Sequence, residues 1–241
     1  MKSRRKAKAE AQETPDSVLV EKKYSGYFPG LVDLVEDDNG SVAFLAKKGE
    51  ELAVKLSATV DGETCYPPEM DTNIRKVLRC LPRAVEAIRH YKEDSDSAIY
   101  NDLVAFHKLV SELPDERLYE LVAAWVIHTY LMENFVYSPY IWLYAIPEKG
   151  KTRTGKGAIS VACRGMHIES LRDAHLIRFA SDWKATLFID VMDLWAKAEK
   201  AGSEDFLLQR HERGAIVVRV LYPERGPFKD TAFMTFSGPR S

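Results

Sequence analysis

The chain has 241 residues, of which 46% are hydrophobic and 29% are charged, and its formal net charge is -2. This length supports one large domain or two small ones, and the near-neutral charge excludes a general attraction to nucleic acid or to an anionic membrane. The longest apolar stretch, residues 121–132, is too short to span a bilayer, and no apolar segment follows the basic amino terminus as in a secretory signal. We therefore expect a cytoplasmic protein with no membrane partner, in which any contact with nucleic acid needs a local basic patch.

Cysteine and histidine spacing gives no sign of a metal site or of a disulfide framework. The three cysteines, Cys65, Cys80 and Cys163, are far apart and contain no C-x-x-C pair, and the six histidines show no H-E-x-x-H pattern. We expect all six histidines to be structural or surface residues.

Residues 1–23 are predicted to form a disordered basic tail, although a run of this charge could also contact phosphates. Residues 24–137 are predicted to form an α+β region with a small sheet and helices. Its sheet begins with GLVDLV and SVAFLA, two apolar runs joined by the turn sequence EDDNG, which predict a β-hairpin. The alternation in residues 51–60 predicts a third strand, and the two prolines of CYPPEMD end the regular structure.

Helical periodicity follows in the same region. It predicts helices over residues 82–93, 95–113 and 114–132, the first with Pro82 near its first turn. Trp125, His128 and Tyr130 on the third helix are compatible with a binding face, but we favour core packing for them.

A second region, residues 138–241, is predicted to be a partial P-loop core. YIWLYAI (residues 140–146) is a continuous apolar run typical of a strand buried on both faces of a parallel sheet, and ATLFID (residues 185–190) predicts a second buried strand. Helices are predicted over residues 156–164, 191–202 and 203–214. AIVVRVLYP and DTAFMTF predict a final pair of strands.

The loop between the first strand and its helix carries the main motif. Residues 150–157, GKTRTGKG, fit G-x-x-x-x-G-K-[ST] everywhere except the last position, where Gly157 replaces the hydroxyl residue that contacts magnesium. Glycines let the backbone curl around phosphate oxygens, a helix start attracts the anion, and the lysine reaches the β- and γ-phosphates. The candidate nucleotide-binding residues are Gly150, Lys151, Thr152, Arg153, Thr154, Gly155, Lys156 and Gly157. The alternative is a basic surface turn.

A second candidate feature follows at the end of the strand predicted over residues 185–190. An apolar strand that ends in a carboxylate, as LFID does at Asp190, is how a Walker B strand brings a ligand to Mg²⁺. Val191 occupies the position where a water-activating glutamate often lies, which leaves Asp193 as the other candidate catalytic carboxylate. A strand that enters a turn often ends in aspartate, so this feature is weak unless it is taken together with the loop.

These segments resemble P-loop ATPases of phages, plasmids and other mobile elements, which are related to AAA+ helicase and primase–helicase domains. The likeness covers roughly residues 28–239 and is most specific in FPGLVDLV, YIWLYAIPEKGKTRTGKG, ATLFIDVMDLWAKAEK, SEDFLLQRHERG and RVLYPERGPFKDT. It implies ATP and Mg²⁺ as cofactors, with phosphates held by Gly150, Gly155 and Lys156 and the metal by Asp190. It further implies association with DNA and homo-oligomerisation.

The sequence departs from this family in two ways. The strand that carries the sensor residue would begin where the sequence ends, so the core is expected to be truncated. An arginine finger could be Arg210, Arg213, Arg219 or Arg225, although ion pairs with nearby glutamates are the favoured alternative. The resulting expectation is a DNA-associated ATPase, weak as an isolated chain. The alternatives are a nucleotide-binding assembly or regulatory module with negligible turnover, and an interaction domain that binds no nucleotide.

Overall fold

The computed structural model shows a mixed α/β protein with small sheets and helices. It describes residues 23–49, 51–70, 78, 81–93, 95–146, 148–169, 183–191, 193–201, 216–220 and 231–235. The predicted tail, apart from Lys23, and the helix predicted over residues 203–214 lie outside these residues. Within the described part of the chain, no helix is long and apolar enough to cross a membrane.

The amino-terminal strands form two small sheets. They are β1 (Lys23–Tyr24), β2 (Leu31–Glu36), β3 (Val42–Lys48), β4 (Glu51–Lys55), β5 (Ala58–Val60) and β6 (Glu63–Tyr66), in the orders β2-β3-β4 and β1-β6-β5. The predicted hairpin is confirmed: β2 and β3 are antiparallel, and the Asp37 carboxylate accepts the amides of Asn39 and Ser41 in the turn. The strand predicted over residues 51–60 is instead two strands, because β5 leaves β4 and pairs with β6.

The helices predicted in the first region are confirmed as α1 (Ala84–Glu93), α2 (Asp96–Val110) and α3 (Arg117–Leu131), the last followed by a 3₁₀ turn, Met132–Asn134. Ser95 caps α2, since its hydroxyl accepts the amide of Ala98. Core packing is wrong for Tyr130 on α3, which is 54% exposed and donates its hydroxyl to the carbonyl of Val161.

The first strand predicted in the second region is absent. Residues 140–146 are irregular, and the alternate side chains Tyr140, Trp142, Tyr144 and Ile146 are exposed. A run that is apolar throughout predicts burial on both faces, but only its odd-numbered positions, 141, 143 and 145, are partly covered. Continuous apolar sequence does not itself determine which side of an extended segment is covered.

The remaining elements are α4 (Lys151–Val161), β7 (Met166–Ile168), β8 (Leu187–Ile189), α5 (Leu194–Ala201), β9 (Ile216–Val220) and β10 (Thr231–Thr235). β7 and β8 are parallel, whereas β9 and β10 form the predicted pair and are antiparallel. The strand predicted over residues 185–190 is confirmed as β8, although its residues are partly rather than fully buried, and the helix predicted over residues 191–202 is confirmed as α5.

A shared core joins segments from both predicted regions. Leu34, Phe44, Met166 and Trp183 all belong to one cluster of buried side chains. The guanidinium of Arg164 is nearly buried and links the same segments by hydrogen bonds. It donates to the Asp33 carboxylate at 2.8 Å and to the carbonyls of Gly26 and Trp183. The domain boundary at residues 137/138 stays a prediction, and this core crosses it.

Candidate phosphate-binding site

The site predicted from the sequence begins at the amino-terminal end of α4. Gly150 is the N-cap residue and has a left-handed backbone with φ 79°, a conformation that glycine adopts without steric cost. The amide of Thr154 donates to the carbonyl of Gly150 at 2.9 Å, which closes the first turn. The amides of Lys151, Thr152 and Arg153 precede that first helical bond, and the N-cap residue, a glycine, has no side chain to cap them. The helix end therefore offers a row of donors together with a partial positive charge.

The predicted loop is itself helical, which corrects the expected geometry. The sequence predicts a helix that begins at residue 156, but Lys151 to Gly157 already lie in α4. Gly155 and Gly157 therefore do not frame a loop that curls around phosphates. Of the motif's glycines, only Gly150 lies at a turn.

Packing explains the two glycines inside α4. A Cβ at Gly155 would lie 2.2 Å from Cζ of Phe188, and a Cβ at Gly157 would lie 2.8 Å from Cγ2 of Val110. Gly155 thus lets α4 approach β8, and Gly157 lets it approach the end of α2. The missing hydroxyl at position 157 has a structural reason, since even a small side chain there meets Val110.

A shallow cleft of about 500 Å³ opens at this helix end, lined by Glu148, Gly150, Lys151, Thr152, Arg153 and Lys156. Three of its six lining residues are cationic and one is anionic. The ammonium of Lys151 also donates to the carbonyl of Ala145, which ties the helix start to the irregular segment before it. Thr154 is buried and so lies away from the cleft.

Asp190 follows β8 on the side of the strand pair that α4 covers. Its amide donates to the carbonyl of Ile168 at 2.9 Å, which continues the β7–β8 ladder by one residue. Side chains two residues apart on a strand share a face, and Phe188 on that face packs against Gly155. Asp190 thus follows the strand against which α4 packs, but it does not line the cleft at the start of α4.

His167 lies beside Asp190, although no sequence pattern singles it out. Its ring stacks on Phe188 with centroids 5.2 Å apart, and its nitrogens lie 3.7 Å from carboxylate oxygens of Asp190 and Glu169. The parallel register that pairs His167 with Phe188 creates this neighbourhood. The contact between His167 and Asp190 follows from the pairing of β7 with β8, and a single sequence does not specify that pairing.

Asp193, the other candidate catalytic carboxylate, lies at the start of α5. Its side chain is exposed, its backbone has φ 53°, and its carbonyl accepts the amide of Lys197. Val191 is partly buried, in keeping with an apolar residue in the usual glutamate position. Among the candidate trans arginines, Arg219 lies in β9, while Arg210, Arg213 and Arg225 fall outside the described residues.

Asp190 is the candidate metal ligand, and its carboxylate is partly exposed. Among the described residues, no group of three or more histidine, cysteine, aspartate or glutamate side chains could hold a metal ion. Magnesium commonly uses one or two carboxylates and takes its other ligands from phosphates and water. The partly exposed carboxylate of Asp190 fits that pattern.

Compared with protein-family models, with curated proteins and with solved structures, the chain shows no match.

Proposed function

We propose that the chain binds the phosphates of ATP at the amino-terminal end of α4, with Mg²⁺ held between those phosphates and Asp190. In this proposal the amides of Lys151, Thr152 and Arg153 donate to phosphate oxygens. The ammonium of Lys156 supplies the charge that a motif lysine brings to the β- and γ-phosphates.

The observation that carries the proposal is the open start of α4. Gly150 supplies no capping side chain, and the cleft in front of it is lined by Lys151, Arg153 and Lys156. Anions are favoured at such a helix end, because its free amides and the helix dipole point toward the ligand. A P-loop core stays part of the proposal only. Lys151 to Gly157 are helical, and residues 140–146 do not form the strand that was expected before them.

We favour slow hydrolysis of the bound ATP over rapid turnover. Phosphoryl transfer depends on positioning and on charge stabilisation, and the candidate that would orient water, Asp193, is an exposed residue at the start of a different helix. The chain then acts as a nucleotide-binding assembly or regulatory module rather than as a strong ATPase. Association with DNA and homo-oligomerisation stay part of the proposal through the likeness to mobile-element ATPases.

The test is calorimetric titration with ATP, ADP and adenosine, each with and without Mg²⁺. We expect affinity to fall in the order ATP, ADP, adenosine, because phosphates provide the contacts. Asp190→Asn should reduce the gain in affinity that Mg²⁺ provides. Adenosine that binds as tightly as ATP, or no binding of any of the three, would contradict the proposal. Phosphate release measured on the same samples separates a strong ATPase from a binding module.

A further inference from the structure

The segment before the cationic cleft, residues 139–146, forms neither helix nor strand, and we call it the strap. Every second side chain from Tyr140 to Ile146 is exposed, and the side chains between them are only partly covered. The strap begins beside α3, where the indole N–H of Trp125 donates to the carbonyl of Pro139 at 2.9 Å. Because the strap buries little apolar surface, it can move without unfolding the core.

The strap is also tied to helices that follow it in the chain. Trp142 stacks on Trp195 of α5, with ring centroids 6.4 Å apart and an interplanar angle of 14°. The ammonium of Lys151, at the start of α4, donates to the carbonyl of Ala145. The strap therefore links the helix that forms the cleft to α5.

Lys151 takes part in the strap contact and lines the cleft as well. An anionic phosphate oxygen attracts an ammonium by its full opposite charge, whereas a carbonyl such as that of Ala145 offers only a dipole. The turn between the strap and α4 contains strain that movement can relieve. Glu148 in this turn has a left-handed backbone with φ 65°, which is unfavourable for a residue that carries a side chain.

We propose that the strap is an autoinhibitory element of the triphosphate site. In the free chain, the carbonyl of Ala145 occupies the ammonium of Lys151. A phosphate that enters the cleft takes over this ammonium, the strap is released, and Trp142 separates from Trp195. Occupancy of the cleft is thereby passed to α5, whose residues do not line it. The inference deepens the regulation of the proposed triphosphate site and rests on that proposal.

Thermodynamic linkage determines the sign of the mutational effect. If phosphate binding releases the strap, then a substitution that loosens the strap must tighten phosphate binding. Trp195→Leu removes the stacked pair, and a pair of this kind corresponds to roughly 2- to 10-fold in affinity. Trp142→Leu removes the same pair, so the double variant should bind no more tightly than either single variant. The matched control is Tyr144→Leu, because Tyr144 lies on the strap but is 92% exposed.

The experiment titrates the full chain with inorganic triphosphate, by calorimetry and by fluorine NMR of fluorotryptophan-labelled protein. Wild type and Tyr144→Leu should bind equally, and Trp195→Leu roughly 2- to 10-fold more tightly. In wild type, the signals of Trp142 and Trp195 should move as triphosphate is added, while the signal of the buried Trp183 should not. In Trp195→Leu, the Trp142 signal should lie near its triphosphate-bound position from the start. Sodium chloride of equal ionic strength is the control.

Unchanged signals of Trp142 and Trp195 at saturating triphosphate would overturn the inference, and so would equal or weaker binding by Trp195→Leu. Equal movement of the signals in sodium chloride would also overturn it, because screening rather than phosphate would then release the strap. If wild type binds no triphosphate, the proposed function fails and the inference fails with it. Binding without movement of the strap leaves the triphosphate site in place and overturns the inference alone.

Discussion

Replacing Gly157 with serine restores the hydroxyl of the standard motif and tests why this chain lacks it. The new Cβ would lie 2.8 Å from Cγ2 of Val110, so either that side chain or α4 must move. Overpacking of this kind costs about 1–3 kcal/mol, whereas a serine in place of glycine inside a helix returns roughly 0.5 kcal/mol of helix propensity. We expect Gly157→Ser to lower the free energy of unfolding by about 0.5–2.5 kcal/mol and to leave the Mg²⁺ response of ATP binding unchanged.

Urea unfolding of a double-mutant cycle isolates the clash. Val110→Ala removes the methyl group that Gly157→Ser would meet, so the double variant should be more stable than the two single effects predict, by at least about 0.5 kcal/mol. Val110 is partly buried, and its own truncation provides the necessary baseline. Additive effects, or a Gly157→Ser protein that is fully stable and gains Mg²⁺ dependence, would refute the packing explanation of this glycine.

Three further predictions concern stability and thiol chemistry. Arg164→Ala should lower the free energy of unfolding, measured in urea, by about 3–5 kcal/mol, because it leaves the Asp33 carboxylate without its buried partner. The control is Arg117→Ala, which removes an exposed arginine and should change the free energy of unfolding little. Burial lowers the pKa of His107 below its ordinary 6.5. As the pH falls, the unfolded chain therefore takes up a proton at His107 before the folded chain does. The free energy of unfolding should fall as the pH drops below about 6.5, and it should fall less in His107→Leu than in wild type. Equal pH dependence of wild type and His107→Leu in urea unfolding would contradict this. Burial raises the pKa of the Cys163 thiol to about 12, so it should react with iodoacetamide at pH 8 far more slowly in the folded protein than in denaturant, as mass spectrometry of the alkylated peptide would show.

The sequence predicted local elements well where a turn or a cap marks their limits. The Asp37 turn fixes the β2–β3 hairpin, and Ser95 marks the start of α2. These signals act over three or four residues, so a single sequence contains them completely. The strands β5 and β6 show the limit, because the sheet to which β5 belongs depends on long-range pairing.

The expected loop geometry of the candidate site is wrong, whereas the roles of its residues stay predictions. Lys156 and Asp190 lie on or directly after elements that pack together, yet the loop expected around Lys156 is helical. The motif pattern specifies glycines without stating whether they serve a turn or a close approach, and here Gly155 and Gly157 serve an approach. Arg164 carries no local pattern, because its partners Asp33 and Trp183 are far away in sequence.

The triphosphate site is tested most sharply by the ATP affinity of Lys156→Ala, measured by calorimetry in the presence of Mg²⁺. Lys92→Ala, a substitution of an exposed lysine on α1, is the control. A charge-assisted contact contributes about 1.5–3 kcal/mol, so Lys156→Ala should bind ATP roughly 10- to 100-fold more weakly than wild type, while Lys92→Ala should match wild type. Equal ATP affinity in all three proteins would contradict the claim that the start of α4 holds the phosphates.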